Sequence, residues 1–237
     1  MTSFRKGLLA LAAIGALLTL TAIPSSASGQ GHSARTYEVT GENLTPGQIF
    51  TPPIWATHTK RVDFVEVGQS APYGVKEIAE NGNLEPLDYA WSLARGVRDH
   101  GIAPDGPVTA GTSRTFEITA PSDAKRITTI SMVVCTNDGF TGLDSENLPR
   151  GVGHSVRIDA MAYDAGTEQN TEALADLVPP CSGGETGTDT SNPGLAEGGV
   201  ISPHGGITNA GGDPALLDPA VWDFEQPVAS YTITRTS

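Results

Sequence analysis

Short stretches of alternating apolar and polar residues recur along this chain, and glycine or proline punctuates nearly every gap between them. Thr36 to Asn43 places Tyr37 and Val39 on one face against Thr36, Glu38 and Thr40 on the other. Thr112 to Thr119, Ser155 to Met161 and Val228 to Thr234 repeat the pattern, and Val62 to Val67 gives a shorter version of it. A period of two is the signature of a half-buried strand. Arg126 to Cys135 is instead a nearly continuous run of Ile, Thr and Val, which suits a strand buried on both faces. Thr51 to His58 adds an extended segment bounded by prolines. Many short strands with turn residues between them restrict the chain to an all-β architecture, and an antiparallel β-sandwich accommodates them.

Helix is expected once. From Ala71 to Arg95 the apolar residues Val75, Ile78, Ala79, Leu84, Leu87, Trp91 and Ala94 fall three and four apart, and Asn81-Gly82-Asn83 divides the run into two short helices. Their apolar stripe is expected to cover an edge or end of a sheet. Between Ser182 and Asp213, 10 of 32 residues are glycine and apolar residues are scarce, so 182–213 reads as a long mobile loop, with His204 solvated inside it.

The ends set the compartment. Arg5-Lys6, an apolar run from Gly7 to Ile23, and the small residues up to Ser28 together form a secretory signal over residues 1–28. Residues 29–35 read as a flexible tail and 36–237 as one domain. Removing the signal takes two of the 14 basic side chains and none of the 27 acidic ones, so the exported part carries 12 against 27. That balance argues against nucleic acid and anionic lipid as partners, because both are bound through positive patches. A secreted, extracellular protein with two cysteines is expected to pair them, so Cys135 and Cys181 read as one disulfide.

The chemistry concentrates in two acidic stretches, Cys135-Thr-Asn-Asp138-Gly-Phe-Thr-Gly-Leu-Asp144 and Tyr163-Asp164-Ala-Gly-Thr-Glu168. Carboxylates among glycines supply the oxygen ligands that Ca2+ prefers, and the same sequences also serve as ordinary turns. The residues alone leave both readings open. If Asp138 and Asp164 close successive strands of a simple hairpin, they lie at opposite ends of a sheet. The 15 residues from Gly139 to Gly153 are long enough to cross back and bring them together.

Several segments carry a resemblance to a known family: Tyr37-Glu-Val-Thr-Gly-Glu-Asn-Leu-Thr-Pro-Gly47, Phe50-Thr-Pro-Pro53 with Ala56-Thr-His58, Ala79-Glu-Asn-Gly-Asn-Leu84, and the two acidic stretches. In this order and spacing the chain resembles the spondin domain of animal extracellular-matrix proteins such as F-spondin and mindin, in particular its bacterial exported versions. The resemblance implies a C2-like sandwich holding one Ca2+ between loops, with Asp138, Asp164 and Glu168 as side-chain ligands. Animal members carry Asp where this chain has Glu168, and they add further modules absent here. The function implied is a non-enzymatic exported module for adhesion or surface recognition, with an extracellular protein or glycan as partner. Two other functions fit the residues. One is a hydrolase of extracellular polymer using Asp138, Asp144, Glu168 and His58. The other is a carbohydrate-binding sandwich presenting Trp55, Trp91 or Trp222.

Overall fold

In a computed structural model the described residues are 34–181, 193–209 and 212–237. The signal segment 1–28 and residues 29–33 of the expected tail lie outside them, as do 182–192 and 210–211 of the expected mobile loop. Regular structure begins at Arg35, within the stretch read as tail.

The alternating stretches become β1 (Arg35–Asn43), β4 (Ser113–Ala120), β7 (Ser155–Ala160) and β10 (Ala229–Arg235), which pair antiparallel in the order β4-β1-β10-β7. The second sheet has six antiparallel strands in the order β3-β2-β5-β6-β8-β9. These are β2 (Ile54–His58), β3 (Val97–Ile102), β5 (Arg126–Met132), β6 (Gly139–Asn147), β8 (Ala162–Asp164) and β9 (Ser202–Pro203). The chain is therefore mostly β, with two antiparallel sheets and little helix. Tyr37, Val39, Phe116, Ile118, Tyr231 and Ile233 of the first sheet share a buried cluster with Trp55, Ile127 and Leu143 of the second.

The outer face of the six-stranded sheet is also covered. Two helices, α1 (Tyr73–Asn81) and α2 (Glu85–Leu93), set Val75, Ile78, Ala79, Leu87 and Trp91 against Ile54, Ile130, Met132 and Phe140. They cover a face of the sheet rather than the expected edge, because β5 is apolar on both sides and needs a second cover. Gly82 ends α1 in the left-handed conformation, with its N–H on Ile78 O and the N–H of Asn83 on Glu77 O. A last short helix, α3 (Pro219–Trp222), starts at Asp218, whose carboxylate accepts from the N–H of Ala220.

Three expectations change. Val62 to Val67 forms no strand, because β3 and β5 already take both edges of β2. Its Val65 and Phe64 instead fill the helix-side core, with Phe64 between the rings of His58 and Trp91. Gly139 to Asn147, read as part of a connection, is the strand β6 between β5 and β8. Its glycines and polar residues hide the period. A side chain on Gly142 would strike Thr129 O, so the glycine answers a close strand approach. The described half of the expected mobile loop is packed: Ile201 and Ile207 are buried in the helix-side core, Ser202–Pro203 pairs antiparallel with β8, and His204 is buried.

Candidate functional site

Several side chains bond to backbone in the turn from β5 into β6. Thr136 donates through Oγ1 to Val133 O at 2.6 Å and accepts from the N–H of Gly139 at 2.8 Å. Gln48, fully buried, brackets Cys135 by donating to its O and accepting from its N–H, and it also donates to Trp222 O. Cys135 is bonded to Cys181, with Cα atoms 5.4 Å apart, so the expected disulfide is present. Asn137 accepts from the N–H of Glu172.

Asp138 stands at the centre of this turn with no exposed surface. Its Oδ2 accepts from the N–H of Thr167 at 2.7 Å, the hydroxyl of Thr167 at 3.2 Å and the N–H of Glu168 at 3.0 Å. Its Oδ1 is buried and has no hydrogen-bond partner among the described residues. Burial pushes the carboxyl up to about 6, the N–H of Glu168 pulls the other way, and the negative charge of Asp164 adds to the rise.

The two acidic stretches do meet. The route is direct: β6 runs antiparallel to β8, Gly139 sits opposite Asp164, and the N–H of Ala165 donates to Asp138 O. No crossing connection is needed, because an extra strand stands between β5 and β8. Asp164 is half-buried; its Oδ1 accepts from the N–H of Gly166 at 2.6 Å and its Oδ2 from the side-chain amide of Asn170. Gly166 has φ +68°, and any side chain there would collide with the backbone of Val200, so the glycine after Asp164 is obligatory. Glu168 is buried and bridges to Ala196. Burial opposes the charge of nearby Lys76, but Glu80, Glu77 and Glu168 together hold its ammonium above the usual range, and Lys76 is paired with Glu80 at 2.5 Å.

Asp138, Asp164 and Glu168 offer oxygen donors at this corner, which is the chemistry of a hard cation. A buried carboxylate oxygen without a donor, beside a second carboxylate, is where a cation would fit. Asp138 and Asp164 would hold it, Glu168 would join from the same loop, and carbonyls or water would complete the shell. Among the described residues, no three of His, Cys, Asp and Glu are gathered closely enough to hold a metal by themselves.

The other candidates separate from this corner. His58 has no exposed surface; its Nδ1 donates to Thr59 O and its Nε2 accepts from the hydroxyl of Thr128, and burial lowers its basicity. Asp144 is exposed on β6; partial shielding of its carboxyl, then Asp63, push it up to about 6. His204, expected in solvent, is buried beside Phe224; its Nδ1 accepts from the N–H of Gly206, which puts the proton on Nε2. Trp55 and Trp91 are core residues, and Trp222 is partly exposed. Asn43 opens a glycosylation sequon, yet it is buried and its amide donates to Gln48 O and Val108 O. Gln48, Asn137 and Thr167 were not anticipated. Asn137 and Thr167 adjoin the acidic residues, but nothing in the sequence distinguishes Gln48.

The Spondin_N family model, which describes the spondin N-terminal domain, matches residues 42–176, more than half of the chain. The chain belongs to the spondin N-terminal domain family. No curated protein matches it. The matched region of this spondin domain runs from the end of β1 past Glu168, and so contains Asp138, Asp164 and Glu168. Membership of the spondin family and the Cys135–Cys181 disulfide are both typical of extracellular proteins. No helix among the described residues is long and apolar enough to cross a membrane.

Proposed function

We propose that the protein is a non-enzymatic, exported calcium-binding module for adhesion or surface recognition. The observation that carries this reading is Asp138: a carboxylate with no exposed surface, with three donors on one oxygen and none on the other among the described residues, beside Asp164. Burying such a group is costly unless its charge is compensated. Calcium would neutralise it and fix the two loops that meet there. A catalytic role suits these groups poorly, since Asp138, Glu168 and His58 are all shielded from any substrate. Export and the extracellular setting agree with the family and the disulfide.

Thermal unfolding tests the reading. A ligand that binds only the native state adds about 2.7 kcal/mol at a hundredfold excess over its dissociation constant. For a domain of this size that raises the melting temperature by about 5 to 10 °C. Millimolar Ca2+ is expected to produce such a rise over chelator, and Asp164→Asn to remove most of it. An equal rise in the variant, or none in the wild type, would end the calcium assignment.

A further inference from the structure

A cavity of about 490 Å3 is lined by Trp222, Asp213, Asp218, Pro214, Pro219 and Leu216 among others, and by none of the three acidic residues Asp138, Asp164 and Glu168. Its volume falls within the range of small-molecule sites, about 300 to 1,000 Å3. The two carboxylates are arranged alike. Asp213 accepts from the N–H of Ala215 through Oδ1 at 2.9 Å, and Asp218 accepts from the N–H of Ala220 through Oδ1 at 2.9 Å. Each therefore has a fixed orientation, and the Oδ2 of each has no partner among the described residues. Trp222 is held through its backbone, where O accepts from Gln48 at 2.6 Å, while the partly exposed indole lines the cavity.

A flat apolar ring beside two orientated acceptors is the complement of a pyranose. The sugar's C–H face stacks on an indole, and its equatorial hydroxyls reach acceptors at the ring edge. Hydrogen bonds to ionised oxygens are the stronger kind. The same two negative charges, on a chain of formal net charge −13, repel uronic, sialylated and sulfated sugars. We propose that this cavity binds a neutral hexopyranose unit of an extracellular glycan, stacked on Trp222 with its hydroxyls on Asp213 and Asp218. The inference goes beyond the calcium reading and uses none of its ligands, so binding is expected to survive chelator.

The molecule carries its own reporter. Trp55 and Trp91 are 8% and 1% exposed, so a saccharide can change tryptophan emission only through Trp222. The full chain, purified after export, would be titrated with N-acetylchitotetraose, mannotetraose and cellotetraose, with tetragalacturonate and tetramethylammonium beside them. At least one neutral oligosaccharide should shift the emission saturably, and tetragalacturonate should not. Asn in place of either aspartate keeps the Oδ1 acceptor and loses only the ionised Oδ2. Asp213→Asn and Asp218→Asn are each expected to weaken binding about tenfold, as one charged hydrogen bond requires. Trp222→Ala should abolish it in calorimetry at an unchanged melting temperature. If that variant is destabilised, the double aspartate variant decides alone. No response to any neutral probe at millimolar concentration would overturn the proposal. So would full affinity in the double variant, or saturable binding of tetramethylammonium alone, the response of a cation site.

Discussion

Asp138 and Asp144 lie six residues apart, one before β6 and one within it, and the ionisation of both is pushed up to about 6. The causes differ. Asp138 has no exposed surface; its turn is tied by a disulfide, by Gln48 and by donors from Thr167 and Glu168, with one oxygen left over. Asp144 is an exposed residue whose carboxyl is only partly shielded, and the next cause after that shielding is another carboxyl, that of Asp63, on a segment without regular structure. A similar shift therefore marks two different situations. Acidic density by itself does not make a site. Rigid surroundings that strip water from a carboxylate and leave one oxygen unmatched penalise its charge, which a proton relieves and which, on the proposed reading, a cation would relieve as well.

The hardest test of that contrast removes the tie beneath Asp138. The Cys135–Cys181 bond closes a sequence separation of 46 residues. On the chain-entropy account such a loop adds about 4 kcal/mol by restricting the unfolded chain. A Cys135→Ala, Cys181→Ala variant is expected to lose roughly that much in denaturant unfolding, and to lose the calcium-dependent rise in melting temperature with it. A loss below about 1 kcal/mol with the calcium response intact would show that Gln48 and Thr136 suffice to hold the turn.

Proton linkage gives the next largest effect. The folded-state value of Asp138, about 6, lies above its ordinary 3.8, so the folded protein binds this proton more tightly than the unfolded chain. Protonation therefore favours folding. The cost of the charged form is fully present above pH 6 and disappears as the pH falls from about 6 to about 4. In chelator it amounts to about 3 kcal/mol at 1.36 kcal/mol per unit. Across that window wild type should gain more stability on acidification than Asp138→Asn, by about the same 3 kcal/mol. Calcium reverses the trend, because it needs the carboxylate, and its stabilisation should fade below pH 6. Parallel profiles for the two proteins would place the charge elsewhere.

These contrasts also explain what the sequence made legible. The four-stranded sheet has one wet face, so the alternation in β1, β4, β7 and β10 reads directly as strand. The six-stranded sheet is covered on both faces, and its strands lose that signal. Val97–Ile102 looks polar because it is an edge strand, and Gly139–Asn147 looks like loop because its glycines serve close approach. The acidic residues could be named, but their meeting depends on β6 as the intervening strand, which was missed. Gln48 is unreadable for a plainer reason: it bonds 87 residues away along the chain, and no local pattern encodes that. His204 and Ile207 look like loop because glycines surround them, although two or three apolar anchors are enough to dock such a segment.

The smallest effect should come from Asp144, and its size is what sharpens the comparison. Asp144 shares a hydrogen bond and a like charge with Asp63 near the surface, where water and salt screen the pair. Asp144→Asn relieves the repulsion, and the gain at pH 7 should stay below about 0.5 kcal/mol, the scale of exposed charge pairs. Added salt should erase it, since screening already does what the substitution does. The calcium response should be untouched, because Asp144 points to a different partner from Asp138. A gain as large as that seen at Asp138, or one insensitive to 0.5 M salt, would mean that the Asp63–Asp144 pair is sealed from water. The two carboxyls would then belong to one class, and the leftover oxygen of Asp138 would no longer set it apart.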